Sequence, residues 1–425
     1  MPLDGQPALD AKEDRQLKLA SSLFATRSFS PGIAAPLSAE DQVVQACDDA
    51  SPAKWHLAHT TWFFEELVLK RFLGGYKPFD ERFSYCFNSY YESLGPRHPR
   101  PKRGLLTRPS ADEVKAYRAH IDGNLCRLMA EALPPDAFSI IETGVNHEQQ
   151  HQELMLTDIL ALFAENPLRP AYSDAKLPAI SREPPAPGHW RTVEGGIYEI
   201  GHHGEGFAYD NEGPPHRVLL GDFRMFSREV TNGEWMAFME DGGYGTPSLW
   251  LADGWATVQR EGWQAPGYWE MREGGWHQMT LHGLREVEKN RPVTHVSYYE
   301  ADAFARWAGH RLPTEFEWEV ASRGSPGPAP LDLANLLPKP ASQDGVSSLL
   351  GSVWQWTASA YLPYPGYKSA LGALGEYNGK FMCSQMVLRG GSLATPDGHI
   401  RATYRNFFYP HQRWQFMGLR LACDA

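Results

Sequence analysis

The stretch FSIIETGVNHEQQHQELMLTDILALFAE, residues 138–165, decides how the first part of this 425-residue chain folds. Its apolar residues recur at helical spacing, and Ile141, Gly144, His147, His151, Leu154 and Met155 fall on one stripe. The helix so predicted presents two imidazoles four residues apart, one turn above the other on the same face. Two ligands of one first-row metal need that spacing, and an otherwise apolar face excludes bulk water and holds the rings. HEQQH, residues 147–151, also satisfies the H-E-x-x-H pattern of zinc proteases, with Glu148 as general base. Against that reading, the segment lies among other helical segments, without the downstream helix and glutamate ligand such proteases supply. Structural histidines on an inward face are the plain alternative.

Outward from this segment, further helices follow. Ser51-Pro52 reads as an N-cap followed by proline at the first helical position, opening a helix through Lys70. His59 lies on it and shares a face with Trp62 and Phe63, so that face points into a bundle and offers a third imidazole. His56 is the competing choice but falls off that stripe. Three imidazoles with no carboxylate leave positions open for substrate and O2. Ser110 with Glu113 forms a capping box before a run to about Leu133. An early helix after Ser38 would complete a four-helix bundle over residues 37–166, leaving 1–36 as an N-terminal extension. The long loop from Gly74 to Pro109 contains FSYCFNSYYESLGPRHPRPKRG (83–104), whose aromatics argue against disorder and for a functional loop.

Residues 167–188 are proline-rich and read as a linker. Beyond them, residues 189–425 read as irregular α+β. Gly196–Gly201 and Arg217–Phe226 are β-like, and Ser297 with Glu300 and Thr314 with Glu317 are capping boxes. Gly309 fits a helix C′ position. A net charge of -11 and a pI near 5.8 give no basic field for nucleic acid or an anionic membrane. No apolar run reaches the roughly 18 residues that span a bilayer, and the polar start lacks the apolar core of a secretory signal. Cys47, Cys86, Cys126, Cys383 and Cys423 are scattered, with no CxxC, and read as reduced thiols of a cytoplasmic protein.

RPVTHVSYYEADAFARWAGHRLPTEFEWEVASRG (291–324), GSVWQWT (351–357), VLRGGS (387–392) and RATYRNFFYPHQRWQFMGLRLA (401–422) carry a specific resemblance. They resemble the formylglycine-generating enzymes and sulfatase-modifying factors, whose fold is a C-type-lectin-like variant. WHLAH (55–59) with NHEQQHQEL (146–154) resembles a DinB-type helical bundle. Fused in this order, from about Leu37 to Leu421, they resemble the sulfoxide synthases of ergothioneine biosynthesis. The resemblance implies an Fe(II) enzyme that uses O2 to join the imidazole of hercynine (N-alpha-trimethylhistidine) to the sulfur of cysteine or gamma-glutamylcysteine. It places the iron on His59, His147 and His151 and gives Gln150 a hold on the substrate imidazole. Tyr90 and Tyr91 resemble the active-site tyrosines of the cysteine-using branch, with Tyr377 as the fallback. Arg100 and Arg103 resemble that branch's clamp for the donor carboxylate, and Asn406, Phe407 and Phe408 the segment that receives the methylated histidine.

Elementary chemistry agrees with those roles. A trimethylammonium group donates no hydrogen bond and favours aromatic faces such as Phe407, Phe408 and Trp414. A carboxylate is best held by a guanidinium, and a phenol beside a reacting centre can deliver a proton. GSVWQWT has Ser352 and Gln355 where the broader fold usually has GNVWEW, which puts a structural calcium there in doubt. Three rivals remain. One is a sister synthase joining a selenosugar to hercynine. The second is a copper-dependent formylglycine generator, which needs a close cysteine pair. The third is a lectin-like binding module, which leaves the His pair unexplained.

Overall fold

Four long helices build the first of two compact units, residues 1–162 and 163–425, into which the chain divides. The computed structural model describes residues 6–177, 179–180, 186–204, 206–342, 344–370 and 372–425, with side chains from Asp14 onward. Helix α1 (Gln6–Ala34) fills most of the stretch read above as an extension, whereas the residues after Ser38 form only turns. The inward face of α1 explains the difference, because it carries the buried polar residues Thr26, Arg27 and Ser30. A search for an apolar stripe passes over such a helix.

Helix α2 (Ala53–Phe64) starts one residue later than expected, with Pro52 as its extended N-cap and no side-chain cap. Ser51 has another task. Its hydroxyl accepts from Arg103 Nη1 at 2.9 Å, and its N–H donates to Asp158 Oδ2 at 2.7 Å. All of α2 is buried, and the chain then widens into a π turn, Glu65–Leu69, before a last turn at Lys70–Phe72. The buried Glu65 carboxylate accepts the hydroxyls of Tyr76 and Tyr117, both at 2.5 Å, and the Phe79 N–H at 3.0 Å. This pins the start of the long loop. Its end is held by Lys54, whose ammonium donates to the carbonyls of Leu106 and Pro109 at 2.7 and 2.8 Å. Helix α3 (Ala111–Met129) opens with the Ser110–Glu113 capping box, and α4 (Pro135–Glu165) carries the His pair.

The second unit is α+β. A four-stranded sheet sets Asn406–Phe408 beside Met386–Arg389, then Trp354–Ala360, then Met417–Gly418. The run Arg217–Phe226 is two strands rather than one: His216–Leu220 pairs with Gly196–Ile200, and Phe223–Phe226 joins a different sheet. Helices Tyr298–Trp307 and Glu315–Ala321 begin with the expected capping boxes, and Gly309 follows the first with φ +71°. Trp318 packs with Phe223, Met225 and Leu349 in the core. Gln355 is used up within the fold. Its Oε1 accepts from Trp318 Nε1 at 2.9 Å and Arg420 Nε at 3.1 Å, and its Nε2 donates to Leu349 at 3.2 Å. Among the described residues no helix is long and apolar enough to cross a membrane.

Candidate metal centre

Helices α2 and α4 meet at His59 and His147, whose Nε2 atoms lie 3.1 Å apart. His151 joins them, and one ligand nitrogen from each of the three lies within 4.8 Å of the others. His59 Nδ1 sits 2.6 Å from the carbonyl of Phe87, contributed by the long loop. A carbonyl only accepts, so Nδ1 carries the hydrogen and Nε2 keeps its lone pair for the centre. His59 and His147 are buried, whereas His151 is partly exposed.

Burial holds all three imidazoles below their ordinary pKa. His147 falls to about 3, and the neighbouring rings add to the shift at His59 and His151. The rings are therefore neutral at ordinary pH and present lone pairs rather than protons. Trp55 and Trp62 both stack on His59, at 4.6 and 5.4 Å between centroids, and Phe63 lies 4.7 Å from His147. The guanidinium of Arg103 covers the Trp55 ring at 3.4 Å.

Glu148 points elsewhere. Its Oε1 accepts from Arg118 at 2.8 Å and Ser30 at 2.6 Å, and its Oε2 from Arg27 at 3.0 Å. Burial alone would raise the carboxyl, but Arg118, Arg27 and the hydrogen bonds outweigh it and bring it down to about 2. A carboxylate so paired and so weakly basic is no general base for a metal-bound water. The zinc-protease reading of HEQQH fails on this geometry.

The remaining candidates divide. Gln150 is half-buried on α4, immediately before His151. Tyr91 is fully buried against Trp62 at 5.5 Å, and Tyr90 stacks on Tyr91 at 4.8 Å. Arg103 is 4% exposed, and among the described residues it has no salt bridge and its Nε has no partner. Burial and the charge of Arg100 hold its guanidinium well below the usual value. Arg100 itself is exposed and donates to the backbone carbonyl of Asp49. Asn406, Phe407 and Phe408 lie in the second unit on a strand paired with Met386–Leu388. There Phe407 stacks on Tyr361 at 4.1 Å, and Phe408 meets Trp414 edge-on at 5.5 Å. Tyr377, also in that unit, is buried and stacked on Tyr209 at 5.3 Å. All five cysteines are free; Cys383 is exposed, and Cys423 sits in the separate sheet that contains Phe223–Phe226.

Two residues at the centre escaped the sequence reading. His56, set aside above as off the stripe, lies with its Nδ1 2.8 Å from His151 Nδ1 and its Nε2 3.0 Å from Asp158 Oδ2. Three residues turn a helix by about 300°, which leaves His56 only about 60° from His59. That i, i+3 proximity was the available signal, as was the position of Asp158 two turns beyond His151.

Residues 25–155 match the DinB superfamily, and residues 179–331 and 332–425 match the sulfatase-modifying factor enzyme 1-like domain. The chain is 36% identical over 400 residues to the hercynine oxygenase of Mycobacterium tuberculosis, covering 88% of this chain and 91% of that protein. It is 33% identical over 409 residues to the hercynine oxygenase of Mycolicibacterium smegmatis, with the same coverage of 88% and 91%. The formylglycine-generating enzyme of Streptomyces coelicolor is 29% identical over 307 residues, which cover 59% of this chain and 96% of that enzyme.

Proposed function

The chain belongs to the hercynine oxygenase family, and on that premise we propose an Fe(II) enzyme that joins hercynine to cysteine with O2, releasing a sulfoxide. The observation that supports this most is the convergence of three neutral imidazoles within 4.8 Å, with no carboxylate among them. Such a donor set suits Fe(II) and leaves positions for other ligands. Bound by His59, His147 and His151, the iron would supply O2 activation and a template for both organic substrates.

The chain's own side chains do the rest. Gln150 orients the substrate imidazole from the turn that carries His151. Arg103 binds the donor carboxylate: a buried guanidinium that makes no salt bridge among the described residues is costly, and an anionic substrate relieves that cost. One buried arginine suits the single carboxylate of cysteine better than the two of gamma-glutamylcysteine. Arg100 would have to leave the Asp49 carbonyl to assist. Tyr91, packed on the aromatic wall of the centre, holds the proton that steers the outcome, with Tyr90 beside it. In the second unit, Phe407 and Phe408 offer aromatic faces of the kind a trimethylammonium group favours, next to Asn406 on the same strand. The five free thiols favour a reducing compartment, the cytoplasm.

An anaerobic Fe(II) titration followed by chelation tests the metal. One Fe(II) per chain is expected, with turnover lost on chelation and restored by Fe(II) but not by Zn(II) or copper. Turnover restored by copper alone would point instead to formylglycine-generating chemistry.

A further inference from the structure

Asp158, His56 and His151 form one hydrogen-bonded chain, buried at Asp158 and His56 and partly exposed at His151. Asp158 Oδ2 lies 3.0 Å from His56 Nε2, and His56 Nδ1 lies 2.8 Å from His151 Nδ1. His56 and Asp158 are 2% and 7% exposed, so water does not substitute for either partner. Asp158 is itself fixed, because the Ser51 N–H donates to the same oxygen at 2.7 Å.

With one hydrogen on each ring, this chain has a single arrangement. A carboxylate has no hydrogen to donate, so His56 must present Nε2–H to Asp158. With its one hydrogen on Nε2, His56 has a bare Nδ1, which can only accept. His151 must therefore carry its hydrogen on Nδ1, which leaves its lone pair on Nε2. The tautomer of His151 is thus dictated from Asp158, one imidazole away. His59 receives the same instruction from the Phe87 carbonyl, a backbone group that cannot change its role. At His151 the instruction comes through two side chains and is open to substitution.

We infer that His56 and Asp158 are positioning residues for the metal centre, a relay that locks His151 in the tautomer whose Nε2 is free to bind the metal. This rests on the three-histidine metal reading above. Without the relay, His56 can present Nδ1–H to His151, and His151 then places its own hydrogen on Nε2 and blocks the site. Partners of this kind typically change metal affinity by about 10- to 100-fold when removed.

Cobalt(II), whose visible absorption reports ligand number and geometry, gives a readout independent of turnover. Co(II) affinity and spectrum are measured anaerobically for wild type, His56→Leu, His56→Asn and Asp158→Asn, with melting curves in parallel. His56→Leu is expected to bind Co(II) about 10- to 100-fold more weakly and with an altered spectrum. His56→Asn, whose Oδ1 can stand where Nδ1 stood and accept from His151, restores most of the affinity. Asp158→Asn keeps the shape but loses the charge that fixes His56, and costs about fivefold. Should His56→Leu fail to fold, the ranking wild type, His56→Asn, Asp158→Asn carries the test. Wild-type affinity and spectrum in folded His56→Leu, or in Asp158→Asn if His56→Leu does not fold, would overturn the relay. A wild-type protein that binds neither Co(II) nor Fe(II) would overturn the metal reading itself, a result distinct from the others.

Discussion

His147 and Glu148 are neighbours on α4, both are 1% exposed and burial favours the neutral form of each, yet they end in opposite charge states. On one face of the helix, burial favours neutral imidazoles, whose ring nitrogens converge. On the other, Arg27, Arg118 and Ser30 keep the carboxylate charged and occupy both of its oxygens. The first face is chemically open and the second closed. The sequence pattern H-E-x-x-H is blind to this difference, because it records which residues are present and not which way each one turns.

Substitutions on the open face should have the largest effect. His147→Ala or His151→Ala is expected to abolish stoichiometric Fe(II) binding and turnover while the second unit stays folded. Metal analysis with circular dichroism checks this, and one iron per chain in either variant would remove that residue from the centre.

The closed face should answer in stability instead. Glu148→Ala takes from buried Arg118 its salt-bridge partner and leaves buried Arg27 with Asp122 alone, and is expected to cost about 3–5 kcal/mol. For a unit of this size that is a fall in Tm on the order of 10 °C. Molecules that remain folded should still bind iron. A catalytic base would behave the other way, losing activity with little change in Tm. The pH dependence has the same sign. An unfolded glutamate titrates near 4.5 and this folded one at about 2. Its contribution is therefore complete above about pH 4.5 and is lost as the pH falls through about 2.

Two arginines of one loop give a sharper version of the contrast. Arg103→Ala is expected to weaken donor binding about 10- to 150-fold while leaving hercynine binding nearly unchanged. Arg100→Ala, which removes an exposed contact to a backbone carbonyl, should leave both within about twofold. Equal losses in the two variants would make the loop a joint clamp.

The smallest effect on binding is expected from the tyrosines. Tyr91→Phe should keep iron and both substrates but shift product from sulfoxide toward the sulfinate of the donor, the outlet of an oxidised thiolate. Tyr90→Phe should shift it less, because Tyr91 packs directly on Trp62. The ratio of the two products by mass spectrometry decides between them.

How much of this was legible follows from what kind of signal each feature leaves. The His pair of α4 and the inward face of α2 are apolar-periodic, and periodicity reads them directly. The capping boxes are local and were equally plain. Helix α1 was placed wrongly because its buried face is polar: Arg27 and Ser30 face a carboxylate that only the fold brings near. His56 and Asp158 were missed for the same reason. They are separated by 102 positions and meet only in space. Arg100 and Arg103 look equivalent in sequence, and only burial tells them apart.

The most direct test of the central claim is a single reaction. Fe(II)-loaded protein is mixed anaerobically with hercynine and cysteine, O2 is admitted, and the products and oxygen uptake are measured. One sulfoxide carrying both carbon skeletons, formed for each O2 consumed and absent with His151→Ala, is the expected result. Iron bound at the three histidines with no carbon–sulfur product from cysteine, gamma-glutamylcysteine or a selenosugar would contradict it.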